Sequence, residues 1–323
     1  GGEDLVFTGD YSTAIGGNAN AGEADYSAVI GGSYNTAGGG FIGGGTLHSS
    51  TGVHGVITGG IGHTASGDHH SIGGGYYDTA IGDNSGVGGG KTNTATGRNS
   101  VILGGVKGST NRKFAYIGGG AYNTIDGPHS GISGGSSNII DGDGHCVVNG
   151  GKQNTARGAF SAVNGGLSNK ATSNYAAVGG GYRNKANSRF SAVAGGSKNT
   201  VGGRFGLVAG FNTKVSADFS ASIGLTGEEC VVRTTNTFGI CADAFTITDS
   251  GGTTNDVVDL LSSSRRQLAS QTDSAKLLDD LSDSVDSALK VQHEKADELQ
   301  ALTKSLNALA QQVQAIDHAS LLN

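Results

Sequence analysis

The chain has 323 residues, 60 of them glycine, one proline (Pro128) and neither Met nor Trp, with a net charge of −6. Glycine at this level without proline or an every-third-residue spacing excludes collagen, and 6 % aromatic residues excludes a thick conventional core. The negative balance gives no electrostatic case for nucleic acid, and no run of about 18 apolar residues offers a transmembrane helix.

From the N-terminus to about residue 225 the chain is a repeat. Gly-Gly pairs recur about every 15 residues, from Gly16-Gly17, Gly31-Gly32 and Gly44-Gly45 to Gly180-Gly181 and Gly195-Gly196, with decayed copies at Gly210 and Gly224. Units this short cannot bury a core alone, so they predict stacked rungs. Aligning them exposes columns. Two residues before each pair stands an apolar, mostly β-branched residue (Val29, Ile57, Ile102, Val163, Val193), as the inside of a parallel β-stack requires. Four residues after the first Gly comes a polar column, mostly Asn (Asn20, Asn35, Asn93, Asn154, Asn169, Asn184, Asn199), with His48, His63 and Asp78 in the same slot. Stacked Asn side chains form hydrogen-bonded ladders, and Asn tolerates a left-handed corner. A small column follows (Ala37, Ala65, Ala80, Ala95, Ala156, Ala171, Ala186). Five residues before the pair lies an aromatic or His column (Tyr11, Tyr26, His54, His69, Phe114, His129, His145, Phe160, Tyr175), usually followed by Ser and once by Cys146. Each rung reads as two short strands joined by tight turns, a flattened roll.

Several residues invite a chemical reading. Ser85 to Thr92 (SGVGGGKT) approaches a phosphate-binding loop but lacks its first glycine and is one of many such turns. His54 and His69, His129 and His145, and His48 and His63 each share a slot in adjacent rungs; they either stack structurally or jointly hold a metal. A Thr column (Thr36, Thr64, Thr79, Thr94, Thr124, Thr155, Thr200) is compatible with ice binding, although its neighbouring columns are not Thr. Lys170, Arg183, Lys185, Arg189, Lys198, Arg204 and Lys214 make the C-terminal part of the array basic; they either keep the surface wet or form a belt for an anionic glycan, a matrix protein or a neighbouring subunit. No nucleophile–base constellation is compatible with the repeat, so neither an enzyme nor a cofactor is expected.

Residues 226–254 read as a short β neck. Cys230 and Cys241 flank a stretch resembling a hairpin, and a disulfide between them is expected, two reduced core cysteines being the alternative; the disulfide places the protein outside a reducing cytosol. Beyond Gly252 glycine disappears. A heptad register runs from Val257 to Ile316, strongest at Leu278, Leu281, Val285, Leu299, Leu302, Leu306, Leu309, Val313 and Ile316. Residues 255–323 are therefore expected to form a coiled-coil stalk, whose heptads alone allow a dimer or a trimer.

The array motif, clearest in Phe160-Ser161-Ala162-Val163-Asn164-Gly165-Gly166 and Phe190-Ser191-Ala192-Val193-Ala194-Gly195-Gly196, resembles the head repeats of trimeric autotransporter adhesins of the YadA-like type. The resemblance covers about residues 10 to 225. It implies a left-handed parallel β-roll head (1–225), a neck and a trimeric coiled-coil stalk, with a role in surface attachment. The unit here is about one residue longer than the usual adhesin repeat, with Gly-Gly where Ile-Gly is common. The family also ends in a membrane-anchoring β-barrel, which the sequence through Asn323 does not contain. The expectation is thus an extracellular or cell-surface homotrimeric fibre that adheres by multivalent display. The second expectation is a structural subunit of a secreted filament or virion fibre joined head to stalk.

Overall fold

The computed structural model describes residues 2–225 and 228–242, the backbone of Thr246–Thr248 and Thr254–Asp256, and Lys304. The heptad positions fall outside these, apart from Lys304. The chain divides into two compact units, Gly1–Asp243 and Ala244–Asn323. The second shows one antiparallel pair, Thr246–Thr248 with Thr254–Asp256.

The first unit is a parallel β-solenoid of about 16 turns. Each turn gives one short strand to each of two 16-stranded parallel sheets. The first sheet begins at Thr13–Ala14 and ends at Phe238–Cys241; the second begins at Val6–Phe7 and ends at Cys230–Val232. Register holds from turn to turn: Val148 pairs with Val163 and Val163 with Val178 in the first sheet, while Ala156 pairs with Ala171 and Ala171 with Ala186 in the second. A third line of isolated parallel bridges joins Asn18 to Ser33 and continues through Leu167 and Tyr182 to Ser197.

Strands of two residues persist because every turn repeats the same in–out alternation. The inward residue of the first sheet is the β-branched column and that of the second is the small column; both are fully buried along most of the array. Pairing Ile or Val with Ala across the core is what lets two sheets approach within one thin layer. The Asn column closes the side of that core. The Asn169 Nδ2 group donates to the carbonyls of Gly165 (2.8 Å) and Gly181 (2.9 Å), and its Oδ1 accepts the backbone N–H of Asn184 (2.9 Å), so every polar atom of a buried amide is used.

Two expectations change. The Asn column is not left-handed. Besides the glycine pairs, such as Gly165 (φ 142°) and Gly166 (φ 84°), the positive-φ corners are the aromatic column (Phe160 φ 58°, Tyr175 φ 58°, Phe190 φ 58°) and the residue just before the Asn column (Ser168 φ 58°, Arg183 φ 54°, Lys198 φ 60°). A left-handed non-glycine residue costs roughly 1–2 kcal/mol. Here the corner N–H turns back to the previous rung, Tyr175 N–H to Ala159 O (2.9 Å) and Arg183 N–H to Leu167 O (2.9 Å), while strand N–H groups bond forward, as Ala162 does to Ala176 O. The corners thus hold each rung to both neighbours, and the rings stack at 4.8–5.0 Å from Phe114 through His129 and His145 to Phe160.

Cys230–Val232 and Phe238–Cys241 also differ from expectation. They do not pair with each other as a hairpin. Each pairs with the preceding turn, Thr213–Val215 and Ala221–Gly224 respectively, so the rungs continue past residue 225 to Cys241. Cys230 and Cys241 are bonded across the two sheets of this last turn, with Cα atoms 5.7 Å apart.

Candidate functional site

The basic residues are placed by the corner and by the strand that follows it. In each rung the left-handed residue and the first strand residue flank a buried Asn, so both side chains leave the same edge of the second sheet. Lys170 belongs to one rung, Arg183 and Lys185 to the next, and Lys198 to the one after. Lys214 follows, in register with Thr200. All five are exposed. Lys170 pairs directly with Lys185, an arrangement of like charges that costs stability and serves no packing purpose. The Arg183 guanidinium lies 4.9 Å from the Tyr182 ring centroid and Lys198 Nζ 5.4 Å from that of Phe211, cation–π contacts that limit where each charge points. Between these columns runs an open groove lined by Lys170, Arg183, Lys185 and Lys198, and by Gln153, Thr155, Ser168 and Thr200.

Arg189 and Arg204 do not join this groove. They precede the aromatic corners on the other side of the rung. Arg189 lies over the Phe190 ring at 4.8 Å, and Arg204 pairs with Asp218 at 2.7 Å, whose carboxyl is held below its ordinary range by hydrogen bonds from Arg204. The expected belt therefore splits into five residues on one face and two on the opposite edge. Its surroundings are also one-sided. From His145 to Ala217 there is no Asp or Glu, although the chain as a whole is acidic. Asp143 and Asp218 bound this stretch, and Asp141 just before it is occupied by Arg157 at 2.6 Å.

The Thr column is the same strand position occupied by Lys170, Lys185 and Lys214, in register along the second sheet (Thr64 with Thr79, Thr79 with Thr94). The outer face of the first sheet has another character. Its outward residues, including Phe41, Val56, Val101, Tyr116, Val147, Ala162, Ala177, Ala192 and Leu207, contain no charge from Thr13 to Phe238, and neither does the column two residues further on, from Ile15 to Ile223. The phosphate-loop-like segment Ser85 to Thr92 is an ordinary rung, with Gly86–Val87 buried in the first sheet.

The histidines separate into two kinds. His54 and His69 stack at a corner, as do His129 and His145. His48 and His63 are fully buried in the Asn ladder, parallel at 4.9 Å. His48 Nδ1 accepts the N–H of His63 (3.1 Å) and His63 Nδ1 that of Asp78 (3.0 Å), which fixes both rings as neutral with the proton on Nε2. Burial, with His63 adjacent, lowers His48 to about 4, and burial lowers His63 as well. Asp78 continues the column. Its Oδ1 accepts from Asn93 N–H (2.8 Å) and Nδ2 (3.0 Å), while its buried Oδ2, in the place of the Asn Nδ2 donor, has no partner; burial raises its pKa. His70 is a fourth buried titratable group, in the slot otherwise held by Ser. One of its nitrogens lies 3.2 Å from Ser50 Oγ, and burial lowers its pKa too. Its slot, one residue after the aromatic column, was the signal that marks it as internal. Among the described residues, no three His, Cys, Asp or Glu side chains converge as metal ligands.

No protein-family model matches the chain, and no curated protein matches it.

Proposed function

We propose that the chain is a structural and binding protein, an extracellular homotrimeric fibre of adhesin type. In this reading the solenoid is a left-handed head, residues 257–316 are a three-stranded coiled-coil stalk, and attachment comes from three repetitive faces acting together. One observation supports it above others: the two outer faces of the solenoid differ in kind. The first sheet presents an uncharged face along its whole length, mostly small or apolar residues interrupted by Thr58, Ser71, Ser133, Asn149 and Asn164, while the second presents Thr, Lys and Arg. A continuous uncharged face of this extent is suited to cover by copies of itself. The heptads through Leu299, Leu302, Leu306 and Leu309 support association through a stalk, and the head-repeat resemblance supports three copies and surface attachment. The Cys230–Cys241 bond supports an oxidising compartment.

The test is the mass of the full chain in solution with charge placed on one face at a time. Ala177→Asp with Ala192→Asp on the first sheet, or Leu302→Asp with Leu306→Asp in the heptads, is expected to lower the mass from three chains toward one. Thr79→Asp with Thr94→Asp, on the other face, is expected to leave it unchanged. Equal behaviour of the two faces would overturn the assignment.

A further inference from the structure

We propose that the groove along the second sheet binds a linear acidic polysaccharide laid parallel to the solenoid axis. The proposal deepens the attachment reading and rests on it for its biological setting, but its geometry stands on the groove alone.

Three observations carry it. The cations form a line rather than a cluster: Lys170, then Arg183 with Lys185, then Lys198, then Lys214, on four successive rungs. At about 4.8 Å per rung the line spans roughly 14 Å of axis, a length that matches a few sugar units of an extended chain better than a single small anion. Next, no acidic side chain lines the groove and the sequence from His145 to Ala217 is free of Asp and Glu; the nearest acid along the line is the exposed Glu229, one rung past Lys214. Repulsion between Lys170 and Lys185 is therefore unrelieved in the free protein and is relieved when an anion bridges them. Finally, apart from Ile139 at one end, the remaining lining is hydroxyl and amide: Ser137, Gln153, Thr155, Ser168 and Thr200. Alternating cations with neutral hydrogen-bonding groups suits a polymer that alternates sulfate or carboxylate groups with hydroxyls.

The lining argues against single-stranded nucleic acid, the other common linear polyanion. Such sites present aromatic faces on which bases stack. No ring lines this groove, and the adjacent rings of Tyr182 and Phe211 each carry one of its cations.

The experiment measures binding of the full chain to immobilised heparin, to a carboxylate-only polysaccharide (hyaluronan) and to a single-stranded oligonucleotide. The salt concentration is varied throughout. The groove variant is Lys170→Gln, Arg183→Gln and Lys185→Gln together. A control of equal charge change, Arg98→Gln, Arg112→Gln and Lys113→Gln, lies in other rungs. The groove variant is expected to bind polysaccharide at least about tenfold more weakly, and the control within about twofold of the parent chain. Heparin and hyaluronan together distinguish a demand for sulfate from one for any repeated anion. Equal loss in both variants, no binding to either polysaccharide, or stronger binding to the oligonucleotide would each overturn the proposal. Light scattering on the same samples separates the two readings. Trimers that ignore polysaccharide sink this inference alone, and monomers that bind it sink the fibre reading alone.

Discussion

Asp78 is an acid in a column built for amides. Asn93, next in the column, donates from Nδ2 to the carbonyls of Gly89 and Gly105 and accepts the Gly108 N–H on Oδ1, whereas the ionised Asp78 carboxylate has no donor to offer at the equivalent place and its Oδ2 is unpartnered. Asp78→Asn is therefore expected to stabilise the protein at pH 7 by about 1–2 kcal/mol, read as a raised thermal midpoint. Because burial raises the folded pKa of Asp78, its contribution to stability is fullest at acid pH and is lost as pH rises, so the advantage of Asn should shrink on acidification. The buried imidazoles have the opposite sign. Their folded pKa values lie below the ordinary 6.5, about 4 for His48, so their contribution is present above 6.5 and is lost as pH falls toward 4. Three such groups against one acid predict a thermal midpoint that drops between pH 7 and 4.5. His48→Asn with His63→Asn should flatten that drop, and an unchanged pH profile would contradict the ladder assignment. The column itself was legible, since its period puts Asn, His and Asp in one slot. The role of His as a neutral mimic of Asn was not, because it depends on which ring nitrogen meets the next rung's N–H.

At the scale of the element, the rung shows which features a sequence carries. Inward residues follow the period directly, so Val163 and its equivalents could be placed in the core from spacing alone. Val163→Asp should open the stack locally, at a cost of several kcal/mol for an unpaired buried carboxylate; unchanged thermal stability would sink the core assignment. Corner conformation was harder to read. The glycine pairs do take positive φ, as at Gly166 and Gly181, but two further corners per rung are held there by Phe, Tyr, His, Lys or Ser, because rung-to-rung hydrogen bonds and ring stacking outweigh the local strain. Thr92 is an extreme case, a β-branched residue at φ 54°, in the slot that Gly62 fills at φ 70° two rungs away. Thr92→Gly is expected to be neutral or stabilising by up to about 1 kcal/mol. Gly166→Ala is expected to be strongly destabilising, because at φ 84° an added Cβ runs into the Gly181 carbonyl of the next rung. Melting curves of the two variants should move in opposite directions or, at the least, differ by several degrees. The Cys230 to Cys241 segment shows the same limit. Two short strands flanked by cysteines eleven residues apart look like a hairpin, and only their pairing with the preceding turn assigns them to opposite sheets.

For the whole molecule, the two outer faces of the solenoid differ in character. One outer face is uncharged throughout and is suited to self-association; the other carries the hydroxyl and cation columns. The groove was only partly legible. Slot alignment puts Lys170 with Lys185 and Arg189 with Arg204, but the placing of the second pair away from the groove required knowing which corner it occupies. The central claim is that the uncharged face and the heptads together build a trimer. Multi-angle light scattering of the full chain, with negative-stain imaging of the same peak, tests it most directly. The account predicts a single species at three times the 32.1 kDa chain mass, seen as discrete rods. A monomer of 32.1 kDa, or open-ended filaments of indefinite mass, would contradict it.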